Sequence, residues 1–256
     1  MSVLPKVEAQ AFTGICAQGQ TLPLYLVCDP PEGETVFQTK IASVRSGLTV
    51  RELALELLGT LLAERLDLYC PAPAAVHVAG PVRQEIEDRH RFQCRDDWGF
   101  GSIWVRRTAP FWPEVDVQEL PPEECSRLLA LDLLLSNGDR TPANPNVCWN
   151  GSRLMVFDFE HSFELPRVDF ERRFRLHLDS LEPLYASHLA CEGADRAGVL
   201  ESVANALAPE SVVSFEAAVS DLPDSWREDW RDHLDYLGYI GTQRDRMLER
   251  IGGLPL

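Results

Sequence analysis

One segment of the chain combines acidic and amide side chains at a spacing that suits phosphate chemistry. Asp139 follows an apolar stretch, Asn144 lies five residues later, and Asp158 follows a second apolar run. A carboxylate can orient an attacking hydroxyl, and carboxylate and amide oxygens are the ligands that magnesium prefers. An Asp followed by an Asn five residues later also occurs in catalytic loops that transfer phosphoryl groups. The segment is therefore a candidate for magnesium-dependent phosphoryl transfer.

The same residue types are common in loops for another reason. Asp and Asn hydrogen-bond to nearby backbone groups, so turns favour them without any catalytic role. Two flanking elements favour the chemical interpretation. An almost wholly apolar helix is predicted from about Glu123 to Leu135, ending at Ser136-Asn137-Gly138 with Gly138 as its left-handed cap. A hairpin is predicted over 147–157 with Asn-Gly at its turn, and it would deliver Asp158 close to the loop.

Transfer from ATP also needs a cation for the phosphates, which a strand lysine held by a helix glutamate can supply. Alternation in the predicted strand Thr35–Ala42 places Lys40 opposite the apolar side chains. A helix is predicted from Thr49, where Glu52 completes a capping box, and Glu56 follows among leucines. A carboxylate in so apolar a segment requires a cation, and Lys40 is the predicted partner. The alternatives are a solvated edge lysine and a glutamate on the polar helix face.

Composition limits the partners. The chain has 24 Lys and Arg against 40 Asp and Glu, a formal net charge of −16, which argues against nucleic acid or an anionic membrane as partner. No apolar run is long enough for a membrane helix, and the first residues lack the apolar core of a secretory signal. Seven scattered cysteines without metal-ligand spacing are expected to be free thiols. We therefore expect a cytoplasmic protein.

The predicted secondary structure and the proline content divide the chain into three parts. Residues 1–107 are predicted to form a β-rich part with one helix, 108–122 form a proline-rich linker or hinge, and 123–256 are predicted to be mainly helical with one hairpin. This arrangement belongs to the α+β class. The strands predicted in the first part are Leu22–Cys28, Thr35–Ala42, Ala74–Val78 and Ile103–Arg107.

The order of these features resembles a known family. A strand lysine, a helix with Glu56-Leu-Leu, the loop Asn137-Gly-Asp-Arg-x-x-x-Asn144 and a hairpin ending in Asp158 resemble the HipA-like kinases. The loop is also similar to that of the phosphatidylinositol 3-/4-kinase relatives. The resemblance extends thinly from about Ala11 to Arg246.

The resemblance implies a fold, a ligand and a set of roles. The implied fold is bilobal and protein-kinase-like, with a small β-rich N-terminal lobe, a larger helical C-terminal lobe and Mg-ATP bound between them. The implied site residues are Asp139 as the catalytic carboxylate, Asn144 and Asp158 as magnesium ligands, and Lys40, Glu56, Gly19 and Thr21 as nucleotide-binding residues. Gly19 and Thr21 would belong to a short phosphate loop, although an ordinary turn explains Gly19 equally well.

One departure leaves the function open. The family usually has His two residues after the catalytic Asp, and Thr141 stands there; His161 is a possible substitute or an ordinary polar residue. The favoured activity is transfer of the γ-phosphoryl group of ATP, with a protein Ser or Thr as the acceptor. The alternatives are a pseudokinase that binds nucleotide without turnover, an enzyme that transfers AMP, and a helical interaction protein with an aromatic C-terminal surface around Trp226 to Tyr239.

Overall fold

The computed structural model describes residues 4–16, 21–29, 33–103, 120–149, 153–208, 215 and 221–256. Seven strands and seven α-helices lie within these residues, so the predicted α+β class is confirmed. The strands are β1 (Lys6–Ile15), β2 (Leu24–Cys28), β3 (Thr35–Ser43), β4 (Pro73–His77), β5 (Cys94–Ile103), β6 (Val147–Trp149) and β7 (Leu154–Val156). The helices are α1 (Val50–Arg65), α2 (Gly80–His90), α3 (Pro122–Leu135), α4 (Phe170–Ser187), α5 (Arg196–Ala206), α6 (Arg227–Thr242) and α7 (Arg244–Gly252).

The chain forms two compact units. The first unit comprises residues 1–57, 71–106 and 217–231, and the second comprises 58–70, 107–216 and 232–256. Most of the predicted hinge 108–122, the Asn-Gly turn of the hairpin and Gly19 of the predicted phosphate loop lie outside the described residues. None of the described helices has the length and apolar composition needed to cross a bilayer.

A five-stranded sheet that closes on itself organises the first unit. Its strand order is β1-β2-β3-β5-β4, and β4 returns to pair with β1 in parallel, whereas the other neighbours are antiparallel. Alternate residues point inward, which follows from the two-residue repeat of a strand. The enclosed core contains twelve buried residues, among them Leu24, Leu26, Phe37, Ile41 and Val76. The sheet therefore gives β3 a fixed inner and outer face.

Two elements of this part were not predicted. The sequence interpretation had one helix in the first 107 residues, whereas the structure also has α2, of which only Val82 and Ile86 are buried. Two apolar residues in an otherwise charged segment produce too weak a hydrophobic periodicity to predict a helix. β5 spans Cys94–Ile103, whereas the strand predicted nearest to it covered 103–107, of which residues 104–107 lie outside the described part of the chain. Its two glycines and its acidic residues disfavour a strand by propensity, but β3 and β4 pair with it on both sides.

The start of α1 agrees with the predicted capping box. The Glu52 carboxylate accepts hydrogen bonds from the backbone N–H of Thr49, at 2.7 Å, and from the Thr49 hydroxyl. The helix then buries its leucine stripe, including Leu53, Leu57 and Leu58. A helix capped in this way has a fixed register, so the direction of each following side chain is also fixed.

Helix α3 is the centre of the second unit. It packs against α4 and α5, and nearly all of its residues from Glu124 onward are buried. Asp195, the residue that caps α5, donates its backbone N–H to the Ser126 hydroxyl of α3 at 2.9 Å. Helix α7 packs against α4 and α5. The apolar helix predicted from the sequence is thus confirmed as a buried one.

The end of α3 differs from the prediction. Ser136, not Gly138, adopts the left-handed conformation, with φ of 50°. The Ser136 hydroxyl lies 2.9 Å from that of Ser180 on α4, and the next N–H, of Asn137, donates to the Asp132 carbonyl at 2.9 Å. These tertiary and capping contacts stabilise a conformation that local propensity would assign to glycine.

A buried histidine fixes the last turn of α3. His177 of α4 donates from Nε2 to the Leu133 carbonyl at 2.8 Å, and its Nδ1 lies 3.1 Å from the hydroxyl of Tyr236 on α6. Burial lowers the pKa of His177 to about 4, and the nearby Arg173 guanidinium acts in the same direction. The imidazole is therefore neutral in the folded chain at neutral pH.

We expect this histidine to make the fold acid-sensitive. Between pH 6.5 and 4 the unfolded chain binds a proton at His177 that the folded chain does not, so stability falls as pH falls through that window. The loss between pH 7.5 and 5 is about 2 kcal/mol from this group. Urea unfolding at both pH values should show that His177→Gln, which keeps a donor and an acceptor, loses correspondingly less than the wild type. An equal loss in both proteins would contradict the assignment.

Candidate functional site

The first unit pairs the predicted phosphate-binding lysine with the predicted helix glutamate. Lys40 Nζ of β3 lies 2.5 Å from Glu56 Oε1 of α1, with side-chain exposures of 12% and 3%. Phe37, Thr39 and Ile41 occupy the inner face of the strand, so alternation directs Lys40 away from that core. Glu56 is thus a buried, paired carboxylate and not an exposed residue of a polar helix face. A buried ion pair of this kind holds the ammonium group in one place.

Close packing on β5 supports the lysine strand. Gly99 and Gly101 lie opposite Ile41 and Thr39 in the β3–β5 register. A Cβ on Gly99 would lie 2.7 Å from the Lys40 carbonyl oxygen and equally close to Thr39 Cγ2. Gly99 therefore has a packing role, because only glycine lets β5 approach the backbone of Lys40 so closely.

The loop after α3 in the second unit brings Asp139 and Asn144 together. Asn144 Nδ2 donates to Asp139 Oδ2 at 2.7 Å, and Asn146 Nδ2 donates to the same oxygen at 3.3 Å. Thr141 and Asn144 form a backbone bridge, with N–H to carbonyl distances of 3.2 and 3.0 Å in the two directions. Because the Asn144 amide nitrogen is directed to Asp139, its amide oxygen is the atom suited to a cation.

The β6–β7 hairpin leads directly into the acidic turn. Val147 pairs with Val156 and Trp149 with Leu154, which confirms the predicted hairpin. Asp158 follows with φ of 71°, a left-handed conformation that non-glycine residues rarely adopt. A carboxylate oxygen of Asp158 lies within 4.8 Å of one from Glu160, which is 6% exposed. Two carboxylates at this separation offer the hard oxygen atoms that magnesium binds.

A fully buried ion pair lies beneath the loop. Arg140 Nε donates to Asp132 Oδ2 of α3 at 2.6 Å, and neither side chain is exposed. His188 Nε2 lies 2.8 Å from the same oxygen, and Asn137 Nδ2 donates to Asp132 Oδ1 at 3.0 Å. Burial by itself favours the neutral acid, but the Arg140 guanidinium and His188 outweigh it and hold the pKa of Asp132 below its usual value. The carboxylate is therefore charged and has three donors.

A second nitrogen of the Arg140 guanidinium, Nη1, is directed to backbone carbonyl oxygens. Nη1 donates to the carbonyl of Asn146 at 2.6 Å, of Phe157 at 3.3 Å and of Pro145 at 3.4 Å. The guanidinium carbon also lies 5.5 Å from the centre of the Phe159 ring. The guanidinium group thus contacts residues on both sides of the hairpin.

His161 lies in the electrostatic field of this loop. Its Nδ1 is 2.5 Å from Glu164 Oε1 and its side chain is 45% exposed. Partial burial lowers the pKa of His161, but the hydrogen bond to Glu164 and the negative charges of Asp139 and Glu160 outweigh that effect and raise it. The imidazole therefore stabilises the local negative charge when it is protonated.

The seven residues singled out in the sequence have different positions. Lys40 and Glu56 are joined in the first unit, and Asp139 and Asn144 are joined in the second, where the hairpin also places Asp158. Thr21 is half-buried just before β2, and Gly19 lies outside the described residues. The site residues that sequence reasoning missed are Asp132, Arg140, Asn146 and Glu160, and the structural partner that it missed is His188, which contacts Asp132.

The sequence does contain one sign of the buried cluster around Asp132, namely a charged side chain within the apolar helix α3. Asp132 stands in the run Leu128 to Leu135, where an unpaired carboxylate would be costly. Asp132 requires a cation for the same reason that Glu56 does. That requirement does not identify His188, which is 56 residues away.

Comparisons with known proteins identify relatives of the chain. A family model described as HipA-like kinase matches residues 14–252. Among solved structures, the crystal structure of a Helicobacter pylori proinflammatory kinase CtkA is similar, with a TM-score of 0.50 and 11% sequence identity over 98% of this chain and 100% of that one. At this identity the likeness concerns the fold alone. No curated protein matches the chain.

We expect Gly59→Ala to destabilise the second unit, although alanine normally favours a helix. A Cβ at Gly59 of α1 would lie 2.2 Å from Cγ of Phe159, the residue after Asp158. The expected cost is about 1–3 kcal/mol, seen as a lower melting temperature. Gly241→Ala on α6 is the matched control, because a Cβ there would lie 3.8 Å from the Leu207 carbonyl oxygen, which is an ordinary contact distance. Equal tolerance of the two substitutions would contradict the packing of Phe159 on α1.

Proposed function

Because the chain belongs to the HipA-like kinase family, we propose that it binds Mg-ATP and transfers the γ-phosphoryl group to a Ser or Thr hydroxyl of a protein. The proposal takes residues 1–107 as the nucleotide-binding lobe of a bilobal protein-kinase-like fold, 108–122 as the hinge and 123–256 as the catalytic lobe. It includes ATP and magnesium as the ligands and excludes nucleic acid and membranes as partners, in keeping with the net charge of −16.

The buried Lys40–Glu56 pair is the observation that carries the proposal. A lysine and a glutamate held at 2.5 Å, both largely removed from water, cost desolvation energy that an ordinary surface position would avoid. Phosphoryl transfer gives a reason for this arrangement, because the fixed ammonium can bind the phosphates of ATP. Gly19 and Thr21 are proposed to contact the same phosphates from the loop before β2.

Asp139 is the proposed catalytic carboxylate. It would orient the acceptor hydroxyl and take its proton, while the acceptor oxygen forms a bond to the γ-phosphorus and the bond from that phosphorus to the ADP oxygen breaks. The hydrogen bonds from Asn144 and Asn146 hold Asp139 Oδ2, which supports a fixed direction for this carboxylate. Positioning supplies much of the rate enhancement in this type of reaction.

The donor set fits magnesium. Asn144 offers an amide oxygen and Asp158 a carboxylate, which are the neutral and charged hard oxygens that this cation takes together with water and phosphate oxygens. Magnesium, when bound, neutralises charge on the phosphates. The task of this chain is to hold Asn144 and Asp158 in place. The bridge between Thr141 and Asn144 and the hairpin before Asp158 support that role.

The cytoplasmic compartment is also part of the proposal. None of the seven cysteines, all of which lie among the described residues, is in a disulfide, and five of them are buried. In Cys28, Cys94 and Cys125 burial raises the thiol pKa to about 11 or 12, so these groups stay protonated. Cysteines without disulfides suit a reducing compartment, where ATP is also available.

A pseudokinase is the second candidate, and Thr141 is the observation that favours it. Thr141 stands where the family usually has His, and its hydroxyl accepts the Asn144 N–H at 3.3 Å. A threonine hydroxyl does not titrate near neutral pH, so it cannot replace an imidazole in moving a proton. In this case nucleotide would bind without turnover.

We expect Mg-ATP to stabilise the wild-type chain and Asp158→Asn to abolish most of that effect. At 100 times Kd, binding contributes about 2.7 kcal/mol, which corresponds to a rise in Tm of about 5–10 °C. Asp179→Asn is the matched control, because it removes the same charge from an exposed position of α4. Melting curves with and without Mg-ATP measure both variants. Full stabilisation of Asp158→Asn would remove Asp158 as a ligand, and no stabilisation of the wild type would contradict the proposed function.

We expect Asp139→Asn to lose transfer while it keeps binding. Removal of a proton acceptor lowers kcat by about 10²–10⁴-fold, whereas the amide preserves the shape of the side chain. Transfer of labelled phosphate from ATP to a protein acceptor measures the loss, and the melting shift with Mg-ATP serves as the binding control. Undiminished transfer would exclude Asp139 as the acceptor of the proton. Binding without transfer by the wild type would favour the pseudokinase.

A further inference from the structure

Two strained backbone positions flank the hairpin of the second unit. Asn146, just before β6, has φ of 45°, and Asp158, just after β7, has φ of 71°. Asparagine tolerates this conformation because its side chain can hydrogen-bond locally, but it is uncommon for both residues. Tertiary contacts that fix these two residues would therefore fix both ends of the hairpin.

The guanidinium group of Arg140 contacts both ends. Nη1 donates to the Asn146 carbonyl at 2.6 Å and to the Phe157 carbonyl at 3.3 Å. The Phe157 carbonyl belongs to the peptide group that leads into Asp158, and the Phe157 N–H donates to the Asn146 carbonyl at 3.3 Å. The orientation of the peptide before Asp158 is thus linked to Asn146 by a side chain and by a backbone bond.

Asn146 transmits this contact to the catalytic loop. Its carbonyl accepts from Arg140, while its side-chain amide donates to Asp139 Oδ2 at 3.3 Å. Arg140 also follows Asp139 directly in the chain. The guanidinium is held on its other side by the buried Asp132 carboxylate at 2.6 Å, which in turn is held by His188. A rigid fork with fixed donor directions suits this use, and an ammonium group does not.

We propose that Arg140 is a positioning residue that couples the loop bearing Asp139 to the turn bearing Asp158. In its catalytic part the inference rests on the proposed function: the proton acceptor and the metal ligand would be held in register by one guanidinium. Arg140 itself touches neither substrate nor metal in this account. The buried ion pair with Asp132 serves to fix the guanidinium, and its two carbonyl contacts carry the coupling.

Arg140→Lys tests the coupling while it keeps the charge that Asp132 requires. A single Nζ cannot stand at both the Nε and the Nη1 positions, so the carbonyl contacts should be lost while the ion pair is kept. His188→Leu is the control, because it removes another donor to Asp132 and leaves the carbonyl contacts of Arg140 intact. Both variants should melt below the wild type, since each weakens the buried cluster.

Hydrogen exchange without nucleotide gives a readout that does not require activity. In Arg140→Lys the amides of residues 139–147 and of 154–162 should both exchange about 10-fold faster or more, since both ends of the hairpin lose their common contact. In His188→Leu, compared at the same temperature interval below Tm, the amides of 154–162 should exchange as in the wild type. Unchanged exchange of 154–162 in Arg140→Lys, or an equal rise in His188→Leu, would overturn the coupling.

Transfer kinetics test the catalytic part. We expect Arg140→Lys to lower kcat about 100-fold and to leave KM for ATP within about threefold, because misplacement of reacting groups affects the transition state more than nucleotide binding. His188→Leu should keep kcat within about threefold under the same conditions. Equal losses of kcat in the two variants would contradict the positioning role and show that Arg140 only stabilises the fold. A wild type that neither binds nor turns over Mg-ATP would sink the proposed function, while the exchange result would still decide the coupling.

Discussion

A charge that is removed from water requires an opposite charge nearby, and this constraint sets the geometry around the loop that bears Asp139. Arg140 and Asp132 are both fully buried, and either one alone would be strongly destabilising. Their pairing fixes the loop to α3 at one point, and the remaining donors of the guanidinium then fix the backbone of the hairpin. The same pair thus accounts for the charged state of Asp132, the course of the chain from Asp139 to Asn146, and the conformation at Asp158. A hydrophobic pair could fill the space but could not orient carbonyl groups.

The Lys40–Glu56 pair of the first unit follows the same rule that a buried charge requires an opposite charge. Lys40 is directed off the closed sheet by strand alternation, and Glu56 is directed by a helix whose register the Thr49 capping box sets. Burial of either charged group alone would be unfavourable because it removes the group from water. The ion pair at 2.5 Å compensates this desolvation free energy. The tight approach of Gly99 to the Lys40 carbonyl leaves that backbone little room to shift. Rigid placement of a cation is what binding of a polyphosphate requires.

Close approach of a neighbouring element at a glycine occurs beside two of the candidate site residues. Gly99 admits β5 beside the lysine strand, and Gly59 admits the Phe159 ring against α1. The space that a Cβ would need is occupied at Gly99 by the Lys40 carbonyl oxygen and Thr39 Cγ2, and at Gly59 by the ring of Phe159, which follows Asp158. Substitution at such positions acts on the site through packing, so its effects on stability and on binding should appear together. Elsewhere, as at Gly241, the same residue type has ordinary space around it.

The sequence by itself determined the features that depend on local pattern: the α+β class, the capped α1, the apolar α3, the hairpin, and the polarity argument that paired Glu56 with Lys40. It did not determine α2 and β5, whose weak periodicity is overcome by packing and pairing, nor the left-handed turn at Ser136, which α4 contacts. Tertiary structure alone decided the role of Arg140, because its partners come from α3, from both ends of the hairpin and, through Asp132, from His188. Alternation and helical spacing are set by neighbouring residues, whereas the partner of a buried charge can lie anywhere that folding brings close.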